Sequence, residues 1–163
     1  MTKGIIYYTD NLIEEPIKSA VVRLLYASEL PLVTVSLKPL GFGENIVLNM
    51  ERGYITMIMQ ILTALVTSKA DYVFFCEHDV LYPKSHFDFT PPKDNIFYYN
   101  ENVWRWSFGS DKAITYNRLI SLSGLCVNRK FAVEHYKMRF DLIDKAGIDK
   151  FKGKEPDMAR KWG

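Results

Sequence analysis

Two carboxylates and an imidazole stand together at Glu77-His78-Asp79, between the apolar run Tyr72-Val73-Phe74-Phe75-Cys76 and the segment Val80-Leu81-Tyr82-Pro83. The run is short and built of β-branched and aromatic residues, which predicts a strand buried on both faces. Open α/β sheets collect their ligands at the carboxyl ends of such strands. In an extended backbone alternate side chains share a side, so Glu77 and Asp79 point together and His78 points away. Two oxygen ligands on one side suit a hard divalent cation such as Mg2+ or Mn2+. On this stretch alone two readings stand: a metal or phosphate site, or acids that begin a solvated loop.

The elements needed to position these acids precede them. Gly4 to Tyr8 reads as a first strand, closed by the polar turn residues Thr9, Asp10 and Asn11. Glu14 and Glu15 before Pro16 suit a first helical turn, and Ile17, Ala20, Val21, Leu24 and Ser28 recur at helical spacing. Leu32 to Leu37 is a second strand, completing a parallel crossover unit. The polar, glycine-bearing stretch Lys38 to Gly53 reads as a surface or substrate loop. Tyr54 to Lys69 predicts a long helix whose stripe is Ile55, Ile58, Met59, Leu62, Leu65 and Val66, with Gln60 and Thr63 off it.

After Pro83 the pattern changes. His86-Phe87-Asp88-Phe89-Thr90-Pro91-Pro92 is a stiff turn region. Asn95 to Asn100, Val103 to Phe108 and Ala113 to Asn117 read as short aromatic strands, an antiparallel or mixed addition to a parallel sheet. Ile120 to Val127 reads as a further strand in which Gly124 allows close approach of backbone or ligand. Asn128 caps a predicted helix from Arg129 to Ala146, ended by Gly147, with Phe131, His135, Met138 and Leu142 on one face. From Lys145 onward the chain is basic, with six Lys or Arg against three acids.

The whole chain of 163 residues is long enough for one domain with a substantial core. A formal charge of +2 argues against wholesale nucleic-acid binding. The two cysteines, Cys76 and Cys126, lie in apolar runs and read as buried thiols of a reducing compartment, so a cytoplasmic location is expected. No apolar stretch reaches the length of a membrane span, and the N-terminus does not read as a signal peptide.

The order of these parts resembles the GT-A glycosyltransferases, family 2-like members in particular: a nucleotide-binding α/β half, an acid-x-acid strand end, then a more antiparallel acceptor half. Glu77-His78-Asp79 stands where that fold carries its Asp-x-Asp motif. Cys-Glu-His-Asp-Val-Leu-Tyr-Pro, Ser-His-Phe-Asp-Phe-Thr-Pro-Pro and Ser-Gly-Leu-Cys-Val-Asn-Arg are similar to segments of a bacterial and phage glycosyltransferase-like group. The resemblance covers nearly the whole chain. It implies a Rossmann-like GT-A sandwich: a mostly parallel central sheet with helices on both faces and a smaller mixed C-terminal part. Residues 1–83 would form the nucleotide-binding half, 84–147 the acceptor half and 148–163 a basic tail, shorter than the C-terminal part of the resembled proteins.

The resemblance also implies a reaction. A sugar moves from a nucleoside-diphosphate donor to a saccharide or other hydroxyl acceptor, with Mn2+ or Mg2+ on the diphosphate. Asp79 would be the first metal ligand and Glu77 the second, or a ribose contact, beside His78. Tyr8, Thr9, Asp10 and Asn11 would hold the nucleoside, with Tyr8 stacking and Asp10 accepting hydrogen bonds. Arg52 and Gly53, at the start of the long helix, would approach the diphosphate. Trp104 and Trp106 would offer a flat surface to a sugar ring, or pack a subdomain. An inverting reaction needs a base, and Glu155-Pro156-Asp157 is the nearest match to the family's acidic pair; solvated tail acids are the competing reading. Two other functions stay open: a GT-A domain that binds nucleotide-sugar without turnover, and another metal-dependent phosphoryl or nucleotidyl enzyme. The chain lacks Gly-x-Ser-x-Gly and, after the first strand, Gly-x-Gly-x-x-Gly, which disfavours a nucleophilic hydrolase and a dinucleotide dehydrogenase.

Overall fold

The computed structural model describes residues 1–107, 109–115 and 120–147. In chain order the elements are β1 (Lys3–Thr9), α1 (Ile17–Ala27), β2 (Leu32–Ser36), β3 (Glu44–Val47), α2 (Tyr54–Thr67), β4 (Tyr72–Glu77), β5 (Tyr98–Tyr99), β6 (Trp104–Trp106), β7 (Ala113–Thr115), β8 (Leu125–Asn128) and α3 (Arg129–Ala146). Single 3-10 turns lie at Lys84–Asp88 and Leu122–Gly124.

Strand alternation builds two apolar layers on one sheet. Ile6 and Tyr8 of β1, with Val73 and Phe75 of β4, face the layer that holds Ile58, Ile61 and Leu65 of α2 and Tyr136 and Ile143 of α3. Ile5 and Tyr7, with Phe74 and Cys76, face the opposite layer, where α1 contributes Val21 and Leu25. Helices therefore cover both faces, and β1 and β4 read as continuous apolar runs because neither face meets water. Burial of one such side chain contributes about 1.5–3 kcal/mol.

The sheet runs in the order β3-β2-β1-β4-β8-β5. β1 pairs parallel with β2 and with β4, and β2 pairs parallel with β3. β8 is antiparallel to both β4 and β5. The fold is thus α/β with a mostly parallel, mixed sheet and three helices, the class the sequence predicts. The chain builds outward from β1 to β2 and β3, then returns to lay β4 on the other side of β1. That reversal leaves a crevice at the carboxyl ends of β1 and β4, the place where open α/β sheets bind ligands.

Several boundaries depart from the expected ones. The stretch 38–53 is not one open loop. Glu44–Val47 joins the sheet as β3, and Phe42 packs edge-on against Tyr7. Asn45 fastens this stretch: its Oδ1 accepts from Leu40 N–H, and its Nδ2 donates to Thr34 Oγ1 and Ser36 Oγ, each at 3.0 Å. The expected strand 95–100 shortens to Tyr98–Tyr99, and 120–127 begins as a 3-10 turn before β8. The expected strands 103–108 and 113–117 form Trp104–Trp106 and Ala113–Thr115; their ends at 108, 116 and 117 lie outside the described residues. Among the described residues these two strands pair only with each other, as a separate ribbon.

Helix α3 begins as expected, with Asn128 Oδ1 accepting from Lys130 and Phe131 N–H. Its buried face is rotated from the expected one. Ala132, Tyr136 and Ile143 are buried, while Met138 and Leu142 are exposed. The sheet and α2 accept the Tyr136 side of the helix, and long apolar residues one position off that line remain in solvent. For the same reason Val66 of α2 is exposed, whereas Gln60, expected off the stripe, is buried.

Candidate functional site

The carboxyl end of β4 delivers Glu77 to the crevice, and the turn at His78 and Asp79 follows at once. Tyr8 of β1 is the registered partner of Glu77. Its hydroxyl donates to Glu77 Oε1 at 2.7 Å. Tyr82, beyond the turn, accepts from Glu77 N–H at 2.9 Å through its hydroxyl oxygen, which holds the segment folded back on the strand. Burial pushes the Glu77 carboxyl above the usual glutamate range; the Tyr8 hydroxyl pulls it back, the neighbouring Asp79 charge raises it, and Ser123 lowers it slightly. Asp79 is exposed. Both acids line one cleft of about 960 Å³ with Trp104, Trp106, Ser121 and Ser123. Among the described residues neither acid makes a salt bridge.

His78 does not line that cleft, but the reason is not strand alternation: β4 ends at Glu77, and His78 and Asp79 lie in the turn after it. Its Nδ1 lies 2.7 Å from Thr9 Oγ1 and 3.7 Å from Asp10 Oδ1. Asp10 is tied on both oxygens: Oδ1 accepts from Leu12 N–H at 3.0 Å and Oδ2 from Arg52 Nε at 2.5 Å. Partial burial pushes the Asp10 carboxyl up, but the Leu12 N–H, the Arg52 guanidinium and His78 outweigh it and hold the group below the usual range. Asp10 and the Glu77/Asp79 pair thus flank the carboxyl ends of β1 and β4 as two clusters; Asp10 and His78 do not line the cleft that holds the acid pair.

Other predicted residues take different roles. Tyr8 is 4% exposed and has no ring face open to a nucleoside; it orients Glu77 instead. Thr9 is buried and accepts from Asn11 N–H. Asn11 adopts a left-handed backbone, with φ 63°. Its Oδ1 accepts from Leu37 and Lys38 N–H, so it fastens the first strand's loop to the second. Gly53 precedes α2 in extended backbone with no side-chain cap, and Arg52 beside it points to Asp10. Gly124 meets backbone rather than ligand: a Cβ there would lie 2.9 Å from Asn100 O, and Asn100 N–H donates to Gly124 O at 2.8 Å. Trp104 and Trp106 stand on the exposed ribbon beside the acids. Glu155 and Asp157, the expected bases, lie outside the described residues, as does the rest of 148–163.

One residue of the crevice escaped the sequence reading. Gln60 is 3% exposed, and its Nε2 donates to Thr9 O at 2.7 Å and Val35 O at 3.4 Å. From the helix behind the sheet it reaches the carbonyl of the last residue of β1 and that of the residue before the last in β2. A polar residue among Ile58, Ile61 and Leu65 was the available signal, because a buried amide needs partners. Gln60→Leu is expected to remove both bonds and to lower stability by about 1–3 kcal/mol. Urea unfolding monitored by circular dichroism reads the loss as a lower midpoint with unchanged slope.

Among the described residues no set of three or more His, Cys, Asp or Glu side chains is placed to hold a metal ion. The donor set on offer is two carboxylates. That chemistry fits Mg2+ or Mn2+, which take one or two protein carboxylates and complete their shell with substrate phosphates and water. Among the described residues no helix is long and apolar enough to cross a membrane. No protein-family model, curated protein or solved structure matches the chain.

Proposed function

We propose that the chain is a glycosyltransferase of GT-A type, moving a sugar from a nucleoside-diphosphate donor to a hydroxyl acceptor. One observation carries the reading. Glu77 and Asp79 line one cleft beside the switch point between β1 and β4, and neither is neutralised by a described cation. Carboxylates left in that state at the ligand edge of a sheet are poised for a cationic or hydrogen-bonding ligand.

In this reading Asp79 and Glu77 would hold the divalent cation, whose chemistry there would be to neutralise charge on the donor diphosphate. Tyr8 keeps the Glu77 carboxylate turned to the cleft. Asp10 accepts hydrogen bonds from the nucleoside, held in place by Leu12 N–H and Arg52. The Arg52 side chain is 72% exposed, so its guanidinium is able to share a donor phosphate while still touching Asp10. The uncapped start of α2 lies next to it and favours the same negative charge. The acceptor enters from the ribbon side, where Ser121 and Ser123 line the same cleft as the two acids.

Melting curves with UDP, GDP and TDP, each with and without Mn2+, test this. At least one nucleotide is expected to stabilise the protein in a metal-dependent way. A ligand at about 100 times its Kd adds about 2.7 kcal/mol, roughly 5–10 °C for a chain of this size. If no nucleoside diphosphate moves the curve at millimolar Mn2+, the sugar-nucleotide reading is wrong.

A further inference from the structure

We propose that His86 is an acid-sensitive latch on the connection between β4 and β5. While its imidazole is neutral it holds that connection against the sheet and so frames the acid cleft; protonation in mild acid releases the connection and leaves the rest of the fold intact. The inference holds whatever the cleft binds. His86 is 8% exposed and sits in the 3-10 turn at Lys84–Asp88. Its ring packs on Phe74 of β4, on Tyr82 and on Phe87, with ring centroids 5.4, 5.1 and 5.1 Å away. Asn100 Nδ2 lies 3.0 Å from its Nδ1. Among the described residues its Nε2 is buried with no partner. Tyr82, against the imidazole, accepts from Glu77 N–H at 2.9 Å. Asn100 N–H donates to Gly124 O at 2.8 Å, next to the cleft residue Ser123. Two restraints beside the acid pair therefore meet at one imidazole.

Asn100 decides where the ring carries its proton. Asn100 Oδ1 already accepts from Asn102 N–H at 2.9 Å, so the amide turns its NH2 to the imidazole and Nδ1 is the bare, accepting nitrogen. The single ring proton is then on Nε2, inside the aromatic layer. A second proton has to enter at Nδ1, where it meets a donor. Turning the amide over supplies an oxygen to the imidazolium but takes it from Asn102 N–H. Either way a hydrogen bond is lost and a charge is created in a buried place. The aromatic faces return part of that cost but do not replace the lost acceptor. Burial holds the imidazole below the usual histidine range. The titratable groups on the elements around it do not counter this. Burial pushes the Tyr82 hydroxyl and the Cys76 and Cys126 thiols up, so all three are neutral near neutrality. Tyr98 of β5 adds a buried hydroxyl. The Lys3 ammonium is bound to the carbonyls of Phe87 and Asp88, while the Lys84 and Asp88 side chains at the ends of the turn are exposed. The latch is therefore fully closed above the unfolded histidine value of about 6.5, and it weakens as pH falls from there toward the lower folded value.

NMR titration of the His86 ring in the full chain, with amide hydrogen exchange, tests the latch. His86 is expected to titrate below about 6.5. Protection of the Glu77 and Asn100 amides, corrected for the intrinsic exchange rate, is expected to fall about tenfold between about pH 7 and pH 5.5, with the amides of β1 unchanged. Asn100→Asp sets a carboxylate opposite Nδ1, one oxygen accepting from the imidazolium and the other keeping Asn102 N–H. In that variant His86 is expected to titrate above about 6.5 and the acid loss of protection to disappear. His86→Phe removes the titrating group, and protection of the two amides is expected to become independent of pH over the same range. A native His86 that titrates at or above about 6.5 would overturn the latch. So would protection that does not fall in acid, or a fall that Asn100→Asp and His86→Phe both keep. Equal loss of protection across the whole sheet would overturn it too, since acid would then be unfolding the chain rather than releasing one connection.

Discussion

Asp79→Asn is expected to leave the fold intact and to abolish the metal-dependent part of nucleotide stabilisation. Asp79 is exposed in the turn after β4, and among the described residues it makes no hydrogen bond or ion pair, so its loss costs less than about 0.5 kcal/mol. Its charge is a different matter. Glu77 is held by Tyr8 and is largely withdrawn from solvent, so it does not replace Asp79 as the accessible carboxylate. Release of free nucleoside diphosphate from a donor sugar is expected to fall about 100- to 1000-fold in the variant, the usual size for removing one group that stabilises developing charge. Melting curves with and without Mn2+, run beside that release assay, separate the two effects. An Asp79→Asn protein that keeps the full metal-dependent shift would remove the acid pair from the donor site.

Why the placement of Glu77 and Asp79 at the end of a buried strand was readable from sequence, while the surroundings of their neighbours were not, follows from the range of the forces involved. The strand and the abrupt switch to acids at its end are both local, set by backbone geometry and burial within a few residues. The two-layer sheet and its helices followed from the same local periodicities. The switch point did not: it needs the strand order, and the order depends on β4 choosing the free edge of β1. The role of Tyr8 likewise depends on register. Its ring looked like a stacking surface until pairing with Glu77 placed it in the core with only its hydroxyl facing the site. Gly124 looked like an approach point, and it is one, but the approaching group is the backbone of Asn100, distant in sequence. Gln60 was misread because helical periodicity sorts residues by polarity, whereas the crevice needed one amide inside the apolar layer to meet strand-end carbonyls. The rotated face of α3 has the same origin. Phe131, His135, Met138 and Leu142 share a helical stripe, yet the surface it docks on accepts the Tyr136 line.

Glu77→Gln is expected to do two opposite things: raise thermal stability near neutrality and lower donor turnover by about 100-fold. The amide keeps an oxygen able to accept from the Tyr8 hydroxyl, so the local geometry survives. What it removes is a charge held where burial and the neighbouring Asp79 disfavour it. Because the folded carboxyl titrates above its unfolded value, the native state binds the Glu77 proton more tightly than the unfolded chain does. Stability from this group is therefore greatest below about pH 4.3, the unfolded value, and declines as pH rises through the window up to the folded value. Above that window it stays at its lower level. The variant lacks the decline, so its melting temperature should exceed that of the native sequence near neutrality, and the gap should close in acid. Mn2+ should reverse part of the difference, because a bound cation favours ionised Glu77, and its stabilising effect on the native chain should grow with pH across the same window. A Glu77→Gln protein that melts at or below the native chain near neutrality would show that this carboxylate is not held at a cost. The acid pair would then be ordinary surface charge rather than a site whose stability is given up for binding.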